Sequence, residues 1–295
     1  MRVNPYPLPD LLAALNQTQL EAQQAMLEIS TGRSENEPSD NPTAAALLVE
    51  NNDEATFNAG FLQSLTAING QLSTADSTLS SVVTVLQRAL SLGVQGATGT
   101  LSDSDRTAIA EELQGIQSQL ISLANTSYQG QFLFAGTLNG APPYVANSGD
   151  PSGVTYNGND GVNQVSVGNG YTLDVNKPGS QLFSSAGNNV FLAVNQLILA
   201  LESNSGIQDA VGALSAASNY LSAQRVFYGN AMNQVQSQTT YLNSAKLQIA
   251  QQENTLAGAD LAASATNLSN AQADTQATLA AISRFSQLSL FDYLR

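Results

Sequence analysis

Apolar positions recur at helical spacing at both ends of the chain. Near the C-terminus they alternate steps of four and three residues, the spacing of one helix face, and comprise Leu261, Ala265, Leu268, Gln272, Thr275, Leu279 and Ile282. Near the N-terminus the same spacing includes Leu12, Leu15, Gln19, Ala22, Met26 and Ile29. Two terminal helices with the same period can form one coiled coil, which would close the chain as a hairpin through its own ends.

The C-terminal helix is nearly uncharged. Ala, Ser, Asn, Thr and Gln fill it, and only Asp260, Asp274 and Arg284 carry charge before Phe285. A helix with one face in solvent normally keeps charge on that face. We therefore predict that the terminal helices bury further surface against other copies of the chain, through Leu12, Leu15, Ala22, Met26, Ile29, Leu261, Ala265, Leu268, Leu279, Ile282, Phe285, Leu288 and Leu290. An ordinary core within one chain is the alternative.

Longer helices are predicted between these ends. After a first helix at Asp10–Thr31, Pro42 with Asn41 as its cap begins a helix that runs to Leu92. Its heptad positions are Phe61, Leu65, Ile68, Leu72, Ala75, Leu79, Val82, Leu86 and Ala89. A second long segment spans Ile207–Leu256. Each would be about 75 Å long at 1.5 Å per residue, as an antiparallel pair requires. The run from Pro38 to Pro42 is either a plain linker or a hinge.

Two shorter helices and a glycine-rich region lie between the long segments. Ser102, with Asp105 in the capping-box position, begins one helix, and Val190–Glu202 forms the other. Gly93, Gly96 and Gly99 are expected to form a turn. Between Gln129 and Val190, which contain eleven of the 22 glycines, helical periodicity is lost. A strand at Gln131–Ala135 and a hairpin that joins Val162–Val167 to Tyr171–Val175 predict a small β-rich domain.

The predicted fold is mainly α. We expect a long antiparallel helical rod, similar to a coiled-coil bundle, that is closed by paired N- and C-terminal helices and carries a small β-rich inserted domain. Three domains are predicted: a terminal coiled coil of residues 1–43 with 256–295, a helical rod of 44–138 with 186–255, and an outer domain of 139–185.

Composition excludes several classes of function. The 295 residues include 23 acidic and 9 basic ones, a net charge of −14, and nucleic-acid binding requires a clustered basic surface instead. Cysteine and histidine are absent, which removes disulfides, thiolate metal sites and the commonest general base. An enzyme is not excluded by this composition, but it would have to work without these groups, and we expect no cofactor and no metal.

Two local motifs do not fit the binding sites that their residue types suggest. Asp150, Asn157, Asn159 and Asp160 do not have the spacing of a calcium-binding loop. The sequence Gly168–Gly170 has no third glycine and opens no helix, so a dinucleotide site is not indicated.

Targeting signals are also missing from the sequence. No apolar run reaches the length that spans a membrane, and the N-terminal residues lack the apolar core of a secretory signal. The expected location is the cytoplasm, unless the chain leaves the cell by a route that needs no such signal.

Three stretches resemble the bacterial flagellin family. They are Ile29–Arg33 with Pro38–Ala45, Asp105–Thr126, and the C-terminal region from Asp260 to Leu294. The sequence Gly130–Gly136, together with Met1–Val3 and Leu101–Arg106, is similar to the branch of that family found at the hook–filament junction.

The resemblance implies a non-enzymatic axial protein of the flagellum. Its expected partners are hook-associated protein 1, flagellin and identical copies in a ring, and an export chaperone of the FlgN type that engages the C-terminal region. It also implies secretion through the flagellar type III apparatus without a cleaved signal peptide. A filament flagellin on the same scaffold is one alternative. An enzyme or ligand-binding module carried on the β-rich insertion is another.

Overall fold

The computed structural model describes residues 8–39, 41–168 and 170–293, except for the side chains of residues 285–293. Its helices are α1 (Leu8–Thr31), α2 (Pro42–Gly96), α3 (Asp103–Ala124), α4 (Gly179–Leu182), α5 (Val190–Ser203), α6 (Ile207–Ala257) and α7 (Leu261–Tyr293). Its strands are β1 (Ser127–Tyr128), β2 (Gln131–Phe132), β3 (Tyr144–Ala146), β4 (Val154–Tyr156), β5 (Gln164–Ser166) and β6 (Thr172–Asp174). The mainly α class with a small β-rich insertion is confirmed.

The helix starts follow the caps expected from the sequence. At the start of α2, Asn41 Oδ1 accepts a hydrogen bond from the backbone N–H of Ala44 at 3.1 Å. Before α3, the hydroxyl of Ser102 accepts from the backbone N–H of Asp105, whose carboxylate accepts from the backbone N–H of Ser102, each at 3.2 Å. These bonds satisfy N–H groups that have no partner inside the helix, so the local sequence determines where each helix begins.

The end of α2 differs from the prediction. Gly93 and Gly96 were expected to begin a turn after Leu92, yet both lie inside the helix. A Cβ atom at Gly93 would come within 2.9 Å of the Leu197 side chain, and one at Gly96 within 2.2 Å of the Leu201 side chain. Gly93 therefore provides room for side chains of α5 and α6 inside the helix, and Gly96, the last residue of α2, provides room for Leu201 of α5.

The chain divides into two compact units. The first contains Met1–Phe57 and Ser244–Arg295, and the second contains Asn58–Asn243. Helices α2 and α6 each contribute a segment to both. The finer division into three domains stays a prediction.

A helical core fills the second unit. Buried positions repeat every seven residues, at Leu65, Leu72, Leu79 and Leu86 of α2 and at Leu214, Leu221, Tyr228 and Val235 of α6. Arg225 of α6 donates two hydrogen bonds to the carboxylate of Asp76 of α2, at 2.8 and 2.9 Å. Arg88 of α2 pairs with Glu112 of α3 at 2.7 Å. These contacts agree with the antiparallel neighbours that the heptads predict.

The insertion consists of three antiparallel two-stranded hairpins, β1–β2, β3–β4 and β5–β6. The predicted hairpin is present, with Val165 opposite Leu173. Val167, Leu173 and Val175 are buried, whereas Tyr171 is exposed and donates its hydroxyl hydrogen bond to Gln234 at 2.9 Å. The predicted strand at Gln131–Ala135 extends only to Phe132, and β3–β4 had no counterpart in the sequence prediction.

Aromatic packing explains the unpredicted hairpin. The ring of Tyr144 lies 5.7 Å from that of Phe183 and 4.9 Å from that of Phe191, measured between centroids. The Asn125 side chain donates to the carbonyl of Tyr144 at 2.7 Å and accepts from its N–H at 2.9 Å. Burial raises the pKa of the Tyr144 phenol above its usual range. These contacts are made with residues that are distant in the sequence. The spacing of residues within β3–β4 therefore gives little indication that the hairpin forms.

Candidate assembly interface

Helices α1 and α7 pack antiparallel through small side chains. Ala25 of α1 and Ser264 and Ala271 of α7 are each only 3% exposed. Ser264 donates its hydroxyl hydrogen bond to the carboxylate of Glu28 at 2.7 Å, and Thr275 donates to the hydroxyl of Thr18 at 3.2 Å. Small residues let two helix backbones approach closely, so the pairing of α1 with α7 depends on close packing more than on buried apolar area.

Backbone hydrogen bonds fix the register of this pair at one end. The N–H of Ser34 donates to the carbonyl of Ala257 at 2.8 Å, and the N–H of Ala259 donates to the carbonyl of Gly32 at 3.0 Å. Gly32 has φ +69°, the left-handed conformation that ends many helices. Asp260 then caps α7, because its carboxylate accepts from the N–H of Ala262 at 3.0 Å. The end of α1 and the break between α6 and α7 are therefore held together.

The large apolar side chains of α1 lie mostly outside this contact. Among the residues of α1, only Ala25 is fully buried. Leu20 is 61% and Met26 58% exposed, and the exposed set on this helix is Leu8, Leu12, Leu20, Met26, Leu27 and Ile29. On α7, Leu261 and Leu279 are also exposed. Large apolar side chains that are exposed in such numbers along one helix mark a candidate interaction site.

Further exposed apolar residues lie on the parts of α2 and α6 that belong to the same unit. Phe57 is 70% exposed, and Leu47, Val49 and Leu247 are exposed as well. None of these was part of the predicted interface. The signal for Val49 and Phe57 was a large apolar residue outside the heptad positions of α2.

The predicted interface residues fall into three groups. Leu15, Ala22, Leu268 and Ile282 are half-buried, near the contact between α1 and α7. The exposed group comprises Leu12, Met26, Ile29, Leu261, Ala265 and Leu279. The side chains of Phe285, Leu288 and Leu290 lie outside the described residues. A role for all of them in contacts between copies stays a prediction.

The stripes assigned to the coiled coil were partly wrong. On α1 the buried side passes through Thr18 and Ala25 rather than through Gln19 and Met26. On α7 it passes through Ser264 and Ala271 rather than Ala265 and Gln272. The predicted stripes follow the larger residues, whereas the fully buried positions of the contact are the small residues Ala25, Ser264 and Ala271, with Leu15 and Leu268 half-buried beside them. A seven-residue repeat of small residues, at 264 and 271 and at 18 and 25, was the available signal.

Metal binding and membrane crossing find no support in the described residues. Within them, no group of three or more acidic side chains is placed to hold a metal ion. In the same part of the chain, every helix is too short or too polar to cross a bilayer. The exposed apolar side chains on the helices of the first unit are therefore the best candidate for a functional surface in that unit.

Comparison with known proteins gives two family matches. The model of the bacterial flagellin N-terminal helical region matches residues 9–139, and that of the bacterial flagellin C-terminal helical region matches residues 211–294. Together they cover well over half of the chain.

Individual relatives agree with these matches. Flagellar hook-associated protein 3 of Salmonella typhimurium is 32% identical over 179 residues, which are 60% of this chain and 55% of that protein. The Escherichia coli protein of the same name is 35% identical over 123 residues, 41% of this chain and 39% of its own length. The chain therefore matches about half or less of these relatives. A solved flagellar hook-associated protein from Vibrio parahaemolyticus shares the fold, with a TM-score of 0.68 and 24% identity over 74% of this chain and 100% of that one.

Proposed function

Because the chain belongs to the bacterial flagellin family, we propose that it is a structural subunit of the flagellum that joins the hook to the filament, as a protein of the hook-associated protein 3 (FlgL) type. Two relatives that carry this name support the junction role over a plain filament role. The sequence Gly130–Gly136, which resembles the junction branch of the family, supports it too. The proposed role is mechanical and requires no catalysis.

One observation carries the proposal: α1 exposes most of its large apolar side chains in the single chain. Burial of six such side chains would contribute on the order of 10 kcal/mol. A helix that lacks this burial is only marginally stable, because most helix stability in proteins comes from packing of the apolar face. We propose that other subunits provide the missing surface, so that the terminal helices are stabilised by assembly.

The same property suits the proposed route to the outside of the cell. A chain whose terminal helices are weakly stable before assembly can pass unfolded through a type III export channel. The absence of cysteine prevents disulfide cross-links on the way. The proposed neighbours after export are hook-associated protein 1 on one side, flagellin on the other, and identical copies in a ring. Before export, a chaperone of the FlgN type would cover the C-terminal helix.

A deletion strain tests the junction role. Cells that lack this protein should keep their hooks but release flagellin into the medium, and expression of the wild-type chain should restore attached filaments. A chain with Leu12→Ser and Met26→Ser should be exported yet fail to restore them. Filaments that stay attached without the protein would exclude the junction role.

Filament flagellin is the remaining candidate on this scaffold, since both family models describe flagellin. The two roles differ in what the purified protein does alone. A filament protein would grow into long polymers from seeds of its own kind. A junction subunit should instead form short assemblies and extend only in the presence of flagellin.

A further inference from the structure

A cavity in the second unit is not needed for assembly through the terminal helices. Its volume is about 160 Å³, and it lies between α2 and the loops of the β-rich insertion. Its walls include residues of Gly130–Gly136, the sequence that distinguishes the junction branch but has no part in the α1–α7 contact. We propose that this cavity is a binding site for a neutral pyranose sugar.

The chemistry of the walls limits the ligand. Six side-chain amides line the cavity, from Gln71, Gln129, Gln131, Asn139, Asn163 and Asn176. The rings of Tyr128 and Phe132 contribute the aromatic surface. The lining contains no charged side chain, in a chain of net charge −14. Phosphates and metal ions need opposite charge, whereas a polyhydroxylated neutral ring needs amides for its hydroxyls and an apolar surface for its face.

Some of these amides are held in place by the protein. Asn176 accepts from the backbone N–H of Asn163 at 2.6 Å and donates to the carbonyls of Gly136 and Gly161, both at 3.3 Å. Asn139 donates to Gln131 Oε1 at 3.2 Å, which orients the Gln131 amide. A site with pre-oriented polar groups loses less entropy when a ligand binds.

Other amides have unused hydrogen-bonding capacity. Within the described residues, the side chains of Gln71 and Gln129 make no hydrogen bond, and the amide nitrogen of Gln131 is also unused. These groups provide donors and acceptors for sugar hydroxyls. Gln129 (φ +52°) and Gly130 (φ +81°) form the two-residue turn of the β1–β2 hairpin, a turn type that has positive φ at both positions, and Gln129 lines the cavity from this turn.

The cavity can take part of a sugar. Its volume of about 160 Å³ is close to that of a cavity that binds benzene, and a hydroxylated pyranose has more heavy atoms than benzene, so one side of the sugar ring would lie in the cavity and the rest at its opening. The cavity is open on the solvent side, where Gln129 and Gln131 are exposed. A single pyranose can therefore enter either as a free sugar or as the terminal residue of a glycan.

Saturation-transfer NMR on the purified full-length chain tests the proposal. The probes are the methyl glycosides of glucose, galactose and N-acetylglucosamine, with a disaccharide of each to distinguish a free sugar from a glycan end. We expect transfer to the ring protons of at least one methyl glycoside, with a dissociation constant in the millimolar range. Absence of transfer from all of them at about 50 mM would overturn the proposal.

Three variants locate the binding. Gln71→Ala removes one free amide and should weaken binding by roughly twofold to tenfold, the effect of one neutral hydrogen bond. Ala67→Tyr adds bulk at an exposed lining position and should abolish binding while leaving the unfolding temperature unchanged. Gln87→Ala, at an exposed position of α2 away from the cavity, is the matched control and should bind as the wild type does.

Undiminished transfer in Ala67→Tyr would place the sugar elsewhere and contradict the proposal. Because the readout uses the monomer, it is independent of the junction role.

Discussion

At the residue scale, Gly136 combines a special backbone conformation with a close contact. Its φ is +73°, and a Cβ atom there would come within 2.1 Å of the backbone oxygen of Asn159. A backbone atom cannot move aside as the end of a flexible side chain can. The turn that follows the buried residues Leu133–Ala135 thus requires glycine at this position.

We expect Gly136→Ala to lower the free energy of unfolding by about 2–4 kcal/mol, the sum of backbone strain and the steric contact. Gly140→Ala, where nothing lies within 4 Å of a Cβ atom and φ is ordinary, should change it by less than about 0.5 kcal/mol. Chemical denaturation of the two variants measures both values. Equal stability of the two variants would show that the contact at Gly136 is not required.

The capping box before α3 should make part of the stability depend on pH. Hydrogen bonds from the side chain and backbone of Ser102 lower the pKa of Asp105 below its ordinary value of 3.8. A group whose pKa is lowered by folding contributes stability above the unfolded pKa and loses it as the pH falls through the folded one. The contribution should therefore be complete near pH 6 and decline progressively as the pH falls below about 4.

Asp105→Asn is the variant that measures this contribution. The difference in unfolding free energy between the wild type and the variant should be largest near pH 6 and shrink as the pH approaches 3. In a Ser102→Ala background the pH dependence of that difference should diminish, because the hydroxyl donor is gone. A difference that is constant from pH 6 to pH 3 would be inconsistent with the assigned hydrogen bonds.

The sequence predicts the structural role of some single residues and not of others. Asn41 and Ser102 were predicted as caps because their role depends on neighbours within three positions in the chain. The conformation of Gly136 and the pairing of Asn125 with Tyr144 depend on distant segments. Local spacing therefore could not indicate them.

At the element scale, periodicity predicted the long helices well and their contacts less well. The predicted heptad positions of α2 from Leu65 to Ala89 are buried as expected, because apolar residues that repeat every seven positions lie on one face of a helix. The contact between α1 and α7 uses Ala25, Ser264 and Ala271 instead. A pattern based on large apolar residues misses a close helix contact that is built from small ones.

Different residues of the terminal helices should determine the stability of the single chain and its assembly: the buried small residues the first, and the exposed large apolar residues the second. Leu12→Ser with Met26→Ser should change the unfolding free energy of the monomer by less than about 1 kcal/mol, since both side chains are exposed and one such surface substitution changes it by up to about 0.5 kcal/mol. The critical concentration for assembly should rise at least about a hundredfold, because each buried leucine or methionine contributes roughly 1.5–3 kcal/mol. Calorimetry of the monomer and sedimentation of the assemblies measure the two effects.

Ala271→Leu is the complementary variant. It adds bulk where α1 and α7 approach most closely and should lower the stability of this helix pair in the monomer by about 1–3 kcal/mol. If the double serine variant destabilised the monomer as much as Ala271→Leu does, the exposed residues would belong to the internal core instead.

At the scale of the whole molecule, net charge opposes assembly. Each copy carries −14, so identical copies repel one another until they come into contact. Helix α7 has one acidic and one basic residue before position 285, Asp274 and Arg284. This repulsion should therefore be weakest along α7. Assembly should therefore proceed through the terminal helices and respond to salt.

Raising the salt concentration from about 0.02 M to about 0.3 M should lower the critical concentration for assembly, since the screening length falls below about 10 Å. Light scattering at a series of salt concentrations measures this, with a neutral osmolyte at matched osmolality as the control. An increase of the critical concentration with salt would indicate that ion pairs between copies dominate, contrary to the apolar interface described above.

Amide hydrogen exchange, compared between the dilute monomer and the assembled state, tests most directly whether the terminal helices find their packing partners in other subunits. We expect the amides of α1 and α7 to exchange rapidly in the monomer and to become protected on assembly, while those of the buried helix α5 are protected in both states. The contrary result would be that α1 and α7 are protected in the monomer as strongly as α5 and that assembly does not change their protection. That result would contradict the proposal that other subunits stabilise the terminal helices.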